Sequence, residues 1–200
     1  MTILYKVHNN LYVNLTNKCP CACTFCLRQT RDHMEDSGVL WLEHEPSYNE
    51  VIADFDNFNV DDYDEIVFCG FGEPTEAFDC LIEVAKFIKS KFNKHIRINT
   101  NGLGNLVNGY DITPLMNGLI DTVSISLNTP NRERYYELTR SKFGIESFDA
   151  MLDFAKRASK HVPNVVMTTV ATTITPKEEA ECADICKRLG VQYRIRPWED

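Results

Sequence analysis

Four of the eight cysteines of this 200-residue chain, Cys19, Cys21, Cys23 and Cys26, fall within eight positions in the stretch NKCPCACTFCLRQ. Sulfur at that density has few uses. Structural zinc takes four thiolate or imidazole ligands, commonly from two separated CxxC pairs. Cys23 and Cys26 form one such pair, but Cys19 and Cys21 form a CxC so close to the next ligand that the loop would bend awkwardly round a tetrahedral ion. A ferredoxin-type cluster uses four thiolates and leaves every iron capped. The third arrangement takes Cys19, Cys23 and Cys26 as C-x3-C-x2-C, with Phe25 just before the last. Three thiolates on a four-iron cube leave one iron open, and an open position implies a ligand and chemistry.

The composition restricts the setting of that chemistry. With 44% apolar side chains, a quarter charged and a formal net charge of -8, residues 1–200 read as one domain with its own core. The start, MTILYKVHNN, has no basic segment followed by an apolar one, and no apolar run spans a bilayer. A cytoplasmic protein without a membrane partner is expected. In a thiol-keeping compartment, clustered cysteines bind metal or react rather than form disulfides. The acidic balance, pI ≈ 5.2, argues against a broad nucleic-acid surface, which needs clustered Lys and Arg.

Something must hold the cysteine loop in place. Short β-branched and aromatic runs alternate with segments of helical period, the signature of βα units around a parallel sheet. Six units are expected, with strands over residues 11–16, 65–69, 95–99, 121–127, 165–171 and 191–196, and ILYKV pairing with the first as a hairpin. Ser47 and Glu50 have capping-box spacing. Phe78, Leu81, Ile82, Ala85 and Ile88 share a helix face, as do Phe148, Met151, Leu152 and Ala155. Thr175 can cap a further helix with Pro176 at its first position. One long connection remains, residues 17–46, and a loop of that length in a compact domain is usually functional or disordered. It contains the cysteines.

The CxxxCxΦC loop after the first strand resembles the hallmark of the radical S-adenosylmethionine (SAM) superfamily. The other superfamily positions follow in order, each at a strand end. In CGFGEPTE, Gly70, Phe71, Gly72, Glu73 and Pro74 look like the GGEP motif with one glycine replaced by Phe71. Glycine admits a ligand close to the backbone, so free carbonyls here could accept hydrogen bonds from the SAM amino group. INTNG places Thr100 and Asn101 at the third strand's end; Ser126 and Asn128, two apart, share one side of the fourth, where the family contacts the ribose or methionine part of SAM. Arg194 and Arg196 share one face of the last strand, and Arg196, nearer its end, is the candidate to hold the cofactor carboxylate or an anionic substrate.

The resemblance covers essentially the whole chain. It implies a six-stranded partial (β/α)6 TIM-like barrel, and motifs after most of the strands favour that over an open flavodoxin-like sheet. LYVNLTNKCPCACTFCLR and the short length look most like the small radical SAM proteins linked to TatD-type hydrolases. The family chemistry implied is oxygen-sensitive. A 4Fe-4S cluster on Cys19, Cys23 and Cys26 binds SAM, and a reductant such as flavodoxin or ferredoxin drives its cleavage to a 5′-deoxyadenosyl radical. That radical takes hydrogen from a small-molecule, peptide or protein substrate. A glycyl-radical activase and a non-catalytic iron-sulfur electron carrier are the alternatives. The remaining cysteines, Cys69, Cys80, Cys182 and Cys186, read as packing residues. His33, Glu35, His44 and Glu45 read as loop surface.

Overall fold

The structure is a computed structural model and describes residues 1–198, so the last two residues of YRIRPWED lie outside it. Seven strands form one sheet: β1 (Leu4–Val7), β2 (Asn10–Val13), β3 (Glu65–Phe68), β4 (His95–Thr100), β5 (Thr122–Ser126), β6 (Asn164–Val170) and β7 (Gln192–Arg196). Their spatial order is their chain order. β1 runs antiparallel to β2, and every later pair is parallel. The six expected parallel strands are therefore all present, and the seventh is the hairpin strand. Val7 pairs with Asn10, leaving a two-residue turn in which His8 takes φ 52°.

Sequential order decides the architecture. Right-handed crossovers between adjacent parallel strands place every helix on the same side of the sheet, and there is no switch point at which the winding reverses. This is barrel topology. The helices are α1 (Tyr48–Asp54), α2 (Phe78–Lys91), α3 (Gly104–Asn108), α4 (Arg132–Thr139), α5 (Ser147–Ala158) and α6 (Pro176–Leu189). Both expected capping boxes form, Ser47 with Glu50 on α1 and Thr175 with Glu178 on α6.

Period-two alternation splits each strand between two environments. Leu11, Val13, Ile66, Phe68, Ile96, Ile98, Val123, Ile125 and Met167 face the helices and join Leu81, Ile88, Met151 and Phe154 in the main core. Fully burying an aliphatic or aromatic side chain of this kind stabilises by about 1.5–3 kcal/mol, so these outward rows hold the helices on. On α5, Leu152 is only half-buried, and Phe154 and Ala158 complete the apolar face with Phe148, Met151 and Ala155, at the three- and four-residue spacing of one helical stripe. The opposite face is polar. Tyr12, Glu65, Arg97, Asn99, Ser124, Thr168 and Arg194 line its concave side, with the Tyr5 and Tyr12 rings tilted by 44° at one edge, their centroids 5.3 Å apart. No helix of the described residues is long and apolar enough to cross a membrane.

Candidate active site

The loop 17–46 has almost no regular structure, only the short 3-10 turn Leu27–Gln29, so side chains and distant backbone must satisfy its polar groups. Asn17 clamps its far end: Nδ2 donates to the Leu42 carbonyl at 2.7 Å, and Oδ1 accepts from the Leu42 N–H at 3.0 Å. Arg28 ties three segments together, donating to the carbonyls of Asn17 (3.4 Å), Phe71 (3.3 Å) and Cys21 (3.3 Å). Its guanidinium carbon lies 6.0 Å from the Trp41 ring centroid. The cysteine segment is also docked on the end of α4. Ala22 N–H donates to the Thr139 carbonyl and Thr24 N–H to that of Leu138, both at 2.9 Å, and Lys142 N–H returns a bond to Pro20 at 2.8 Å.

Within this frame Cys19, Cys23 and Cys26 are half-buried, whereas Cys21 is sealed at 4% exposure. The Cys21 thiol is hydrogen-bonded to Cys19 and Cys23, which raises its own pKa and lowers both of theirs. Burial pushes Cys26 up. The Asn101 amide sits 3.9 Å from the Cys19 sulfur and 3.8 Å from that of Cys21. Among the described residues no three His, Cys, Asp or Glu side chains close on one point, as a lone metal ion requires. Thiolates on a four-iron cube each bind a different iron and need not converge so closely. The donor set also fits iron-sulfur rather than a hard cation, being thiols without a carboxylate among them. Beside them the Tyr135 hydroxyl is buried without a partner, in the electrostatic field of Cys21 and Cys23.

The glycine motif packs against that loop. A Cβ on Gly72 would lie 2.1 Å from the Thr16 carbonyl oxygen and 2.7 Å from that of Lys18; on Gly70 it would lie 2.0 Å from Asn14 Oδ1. Both glycines therefore let the turn after β3 touch the end of β2 and the start of the cysteine loop. Phe71 joins Tyr5, Val7 and Leu40 in a second small core, its ring edge-on to Trp41 at 5.2 Å. Glu73 is 4% exposed, and its carboxylate accepts from Thr75 N–H (3.2 Å), Thr75 Oγ1 (2.8 Å), Thr100 Oγ1 (2.7 Å) and Asn101 N–H (2.8 Å). Burial raises its pKa and these donors oppose the shift. Pro74 opens the 3-10 turn Pro74–Ala77.

The other candidate residues divide by position. Thr100 is buried with its hydroxyl on Glu73, so it braces the motif rather than standing at the mouth. Asn101 stands over the thiols. Ser126 is half-buried on the concave side, and Asn128 is half-buried beyond the end of β5 in a left-handed turn at φ 65°, where strand alternation no longer sets its side. Arg196 is exposed on β7, and Phe25 is 49% exposed. Cys69 departs from its expected packing role: it sits half-buried on the concave face, near the Asn99 amide and within the field of Arg97 and Arg196. Cys182 and Cys186 are core residues as expected, and Cys80 is half-buried beside Pro46. His8 pairs with Glu35, His33 with Asp32, and His44 with Glu50, while Glu45 takes Thr16 and Lys18, so the loop's histidines and acids do not converge. Arg28, two residues past the last cysteine, and Tyr135 had no visible signal in the sequence.

Residues 13–189 match the family model described as the Radical SAM superfamily. The chain belongs to that superfamily. A radical SAM protein of this kind is an enzyme whose cofactors are a 4Fe-4S cluster and SAM. Among curated proteins it is 30% identical over 197 residues to a GTP 3′,8-cyclase of Corynebacterium glutamicum, covering 95% of this chain and 49% of that one. It is 27% identical over 190 residues to a probable GTP 3′,8-cyclase of Methanocaldococcus jannaschii, covering 93% and 57%. The chain thus spans about half the length of these relatives. Two solved structures share the fold. A radical SAM methyltransferase from Sphaerobacter thermophilus superposes with TM-score 0.66 at 16% identity, over 97% of this chain and 57% of that one. Streptococcus suis SuiB, bound to its precursor peptide SuiA, gives TM-score 0.68 at 16% identity, over 98% and 40%.

Proposed function

We propose that this radical SAM chain cleaves SAM reductively and uses the resulting 5′-deoxyadenosyl radical to remove hydrogen from a substrate held on the concave face. The observation that carries the reading is the meeting of two loops: half-buried Cys19, Cys23 and Cys26 share the C-terminal end of the sheet with the glycine motif, whose Gly72 lies against Thr16 and Lys18. When bound, the cluster and SAM supply the electron transfer and the radical, chemistry beyond any side chain.

The chain's own residues hold and orient. Cys19, Cys23 and Cys26 supply the thiolates. The carbonyls of Gly70 and Gly72 accept no hydrogen bond within the described residues and offer acceptors for an ammonium group. Glu73 keeps that turn and Asn101 in one rigid unit. Ser126 and Asn128 present short polar groups where a ribose can be received. Phe25, at the last cysteine, is the apolar cover. A flavodoxin or ferredoxin is the reductant, and the substrate is a small molecule, peptide or protein that enters the concave face. Likeness to the TatD-linked group rests on the sequence of the first loop.

The test is product formation. Anaerobically reconstituted and reduced protein converts SAM to 5′-deoxyadenosine, slowly even without substrate. A full cluster with no such product overturns the reading, and would leave the electron carrier.

A further inference from the structure

We infer that Arg97, Arg194 and Arg196 form an anion-binding site on the concave face, and that the substrate presents a phosphate or carboxylate group to it. The inference deepens the radical-enzyme reading, and rests on that reading only in calling the ligand a substrate.

Strand alternation places the arginines. Tyr193, between Gln192 and Arg194, turns to the helix layer, where its hydroxyl lies 2.6 Å from Thr169 Oγ1. Arg194 and Arg196 therefore project the other way, into the concavity. Arg97 reaches the same space from β4, three strands across the sheet. Arg194 lies in the electrostatic fields of Arg97, Arg196, Glu65 and Tyr12, and Cys69 in those of Arg97 and Arg196.

The charges there do not balance. Glu65 is the one carboxylate among the strand side chains directed inward, and Arg97 already holds it, through Nη2 at 2.7 Å and Nε at 3.0 Å. The remaining Nη1 of Arg97 donates to Asn99 Oδ1 at 3.1 Å. The Arg196 carbonyl accepts from the Ala171 N–H, but the guanidiniums of Arg194 and Arg196 have no hydrogen-bond or ion-pair partner among the described residues. Among the described residues three guanidiniums thus face one carboxylate, in a chain whose net charge is -8. Burial and then the like charges of Arg97 and Arg196 hold the Arg194 pKa below its ordinary value. A concave wall with uncompensated charge of one sign focuses its field on a counter-ion. Guanidinium forks match the planar or tetrahedral oxygens of carboxylate and phosphate.

The height of the site suits a substrate. Register sets Arg194 level with Thr168, and Thr168 level with Ser126, while Arg196 pairs one step nearer the rim with Val170. Arg97 pairs with Thr122, four residues deeper than Ser126, so an anion held between Arg97 and Arg194 would lie below the strand ends that carry the cysteines and the glycine motif, with the rest of the molecule extending toward them.

The experiment is calorimetric titration of the reconstituted, SAM-loaded protein with pyrophosphate in one arm and succinate in the other. Saturable, salt-sensitive binding is expected in one arm, which names the group. Arg194→Gln should weaken it about tenfold or more, since hydrogen bonds to charged groups contribute on that scale. Arg194→Lys should recover only part, lacking the planar fork. The paired change Arg97→Gln with Glu65→Gln, which strands no carboxylate, should weaken it similarly. Iron content and SAM affinity should hold in all three. Absence of saturable binding in both arms, or binding indifferent to these changes, overturns the site. 5′-Deoxyadenosine formation by the parent protein is scored separately: anion binding without SAM cleavage sinks the radical reading and leaves the site standing, and cleavage without anion binding does the reverse.

Discussion

Glu73 Oε2 accepts the Asn101 N–H at 2.8 Å, and that bond joins the glycine motif after β3 to the TNG turn after β4. The Asn101 side chain continues the link to the sulfurs of Cys19 and Cys21. Glu73→Gln keeps the shape but turns one acceptor oxygen into an NH2 facing donors. It should lower the unfolding free energy of the cluster-free chain by about 1–3 kcal/mol, the range for a buried polar group left unmatched. It should also weaken SAM binding by displacing Asn101. Urea unfolding and a SAM titration check the two effects, and a variant as stable as the parent would show that the four donors do not need an anion.

Gly72→Ala should damage the cluster loop before it touches the cofactor. Its Cβ would press on the Thr16 and Lys18 carbonyls, at 2.1 and 2.7 Å, and both are backbone, which cannot swing aside. Backbone left open to the SAM amino group, as the sequence reads this turn, carries the expectation that its disturbance weakens SAM binding; the contact predicts that the cluster goes first. Iron per chain after reconstitution should fall, with SAM affinity falling as a consequence. Full iron content with selectively lost SAM binding would restore the first expectation.

Cys21→Ala should retain nearly all its iron and visible absorbance, whereas alanine at Cys19, Cys23 or Cys26 should each lose the stable cube. Cys21 is sealed and acts as a hydrogen-bonded neighbour of two better-exposed thiols. Retention of the cluster by Cys19→Ala together with its loss in Cys21→Ala would reassign the ligands to CxCxxC.

The α1 capping box should lend an acid-sensitive increment to stability. Glu50 is held down at about 2, below its ordinary 4.5, first by the Ser47 N–H, then by the Ser47 hydroxyl and His44. Its folded pKa is depressed, so its contribution is complete above about pH 4.5 and lost as pH falls toward 2. The gap in urea midpoint between parent and Glu50→Ala should therefore be widest at neutral pH and narrow by about pH 3. An unchanged gap would mean that the charge on Glu50 contributes nothing.

The sheet was readable because each parallel strand carries an apolar outward row, and α2, α5 and α6 because they bury long stripes. α3 and α4 were not foreseen. α3 is five residues beginning at Gly104, and α4, RERYYELT, buries only Tyr135 and Thr139, too little for a helical period to show. The thiol spacing singled out the loop proposed to hold the cluster, since short-range chemistry is written locally. The bracing of Glu73 by Thr75, Thr100 and Asn101 was hidden, because a carboxylate's burial depends on strands that meet only in the fold. Cys69 was misplaced for a related reason: it falls on the polar side of β3's alternation, yet among Phe68, Gly70 and Phe71 it looks like part of an apolar run.

The last carbonyls of α4 are taken by Ala22 and Thr24, so a helix formed more than a hundred residues later is finished by the cysteine loop. Closing a contact over that separation comes late in folding, since its loop entropy must be met before it is rewarded. The thiol bowl therefore cannot take its shape while only the first strands exist. Cluster insertion becomes a post-folding event, and an iron donor must approach a barrel that is already assembled through β5 and α4.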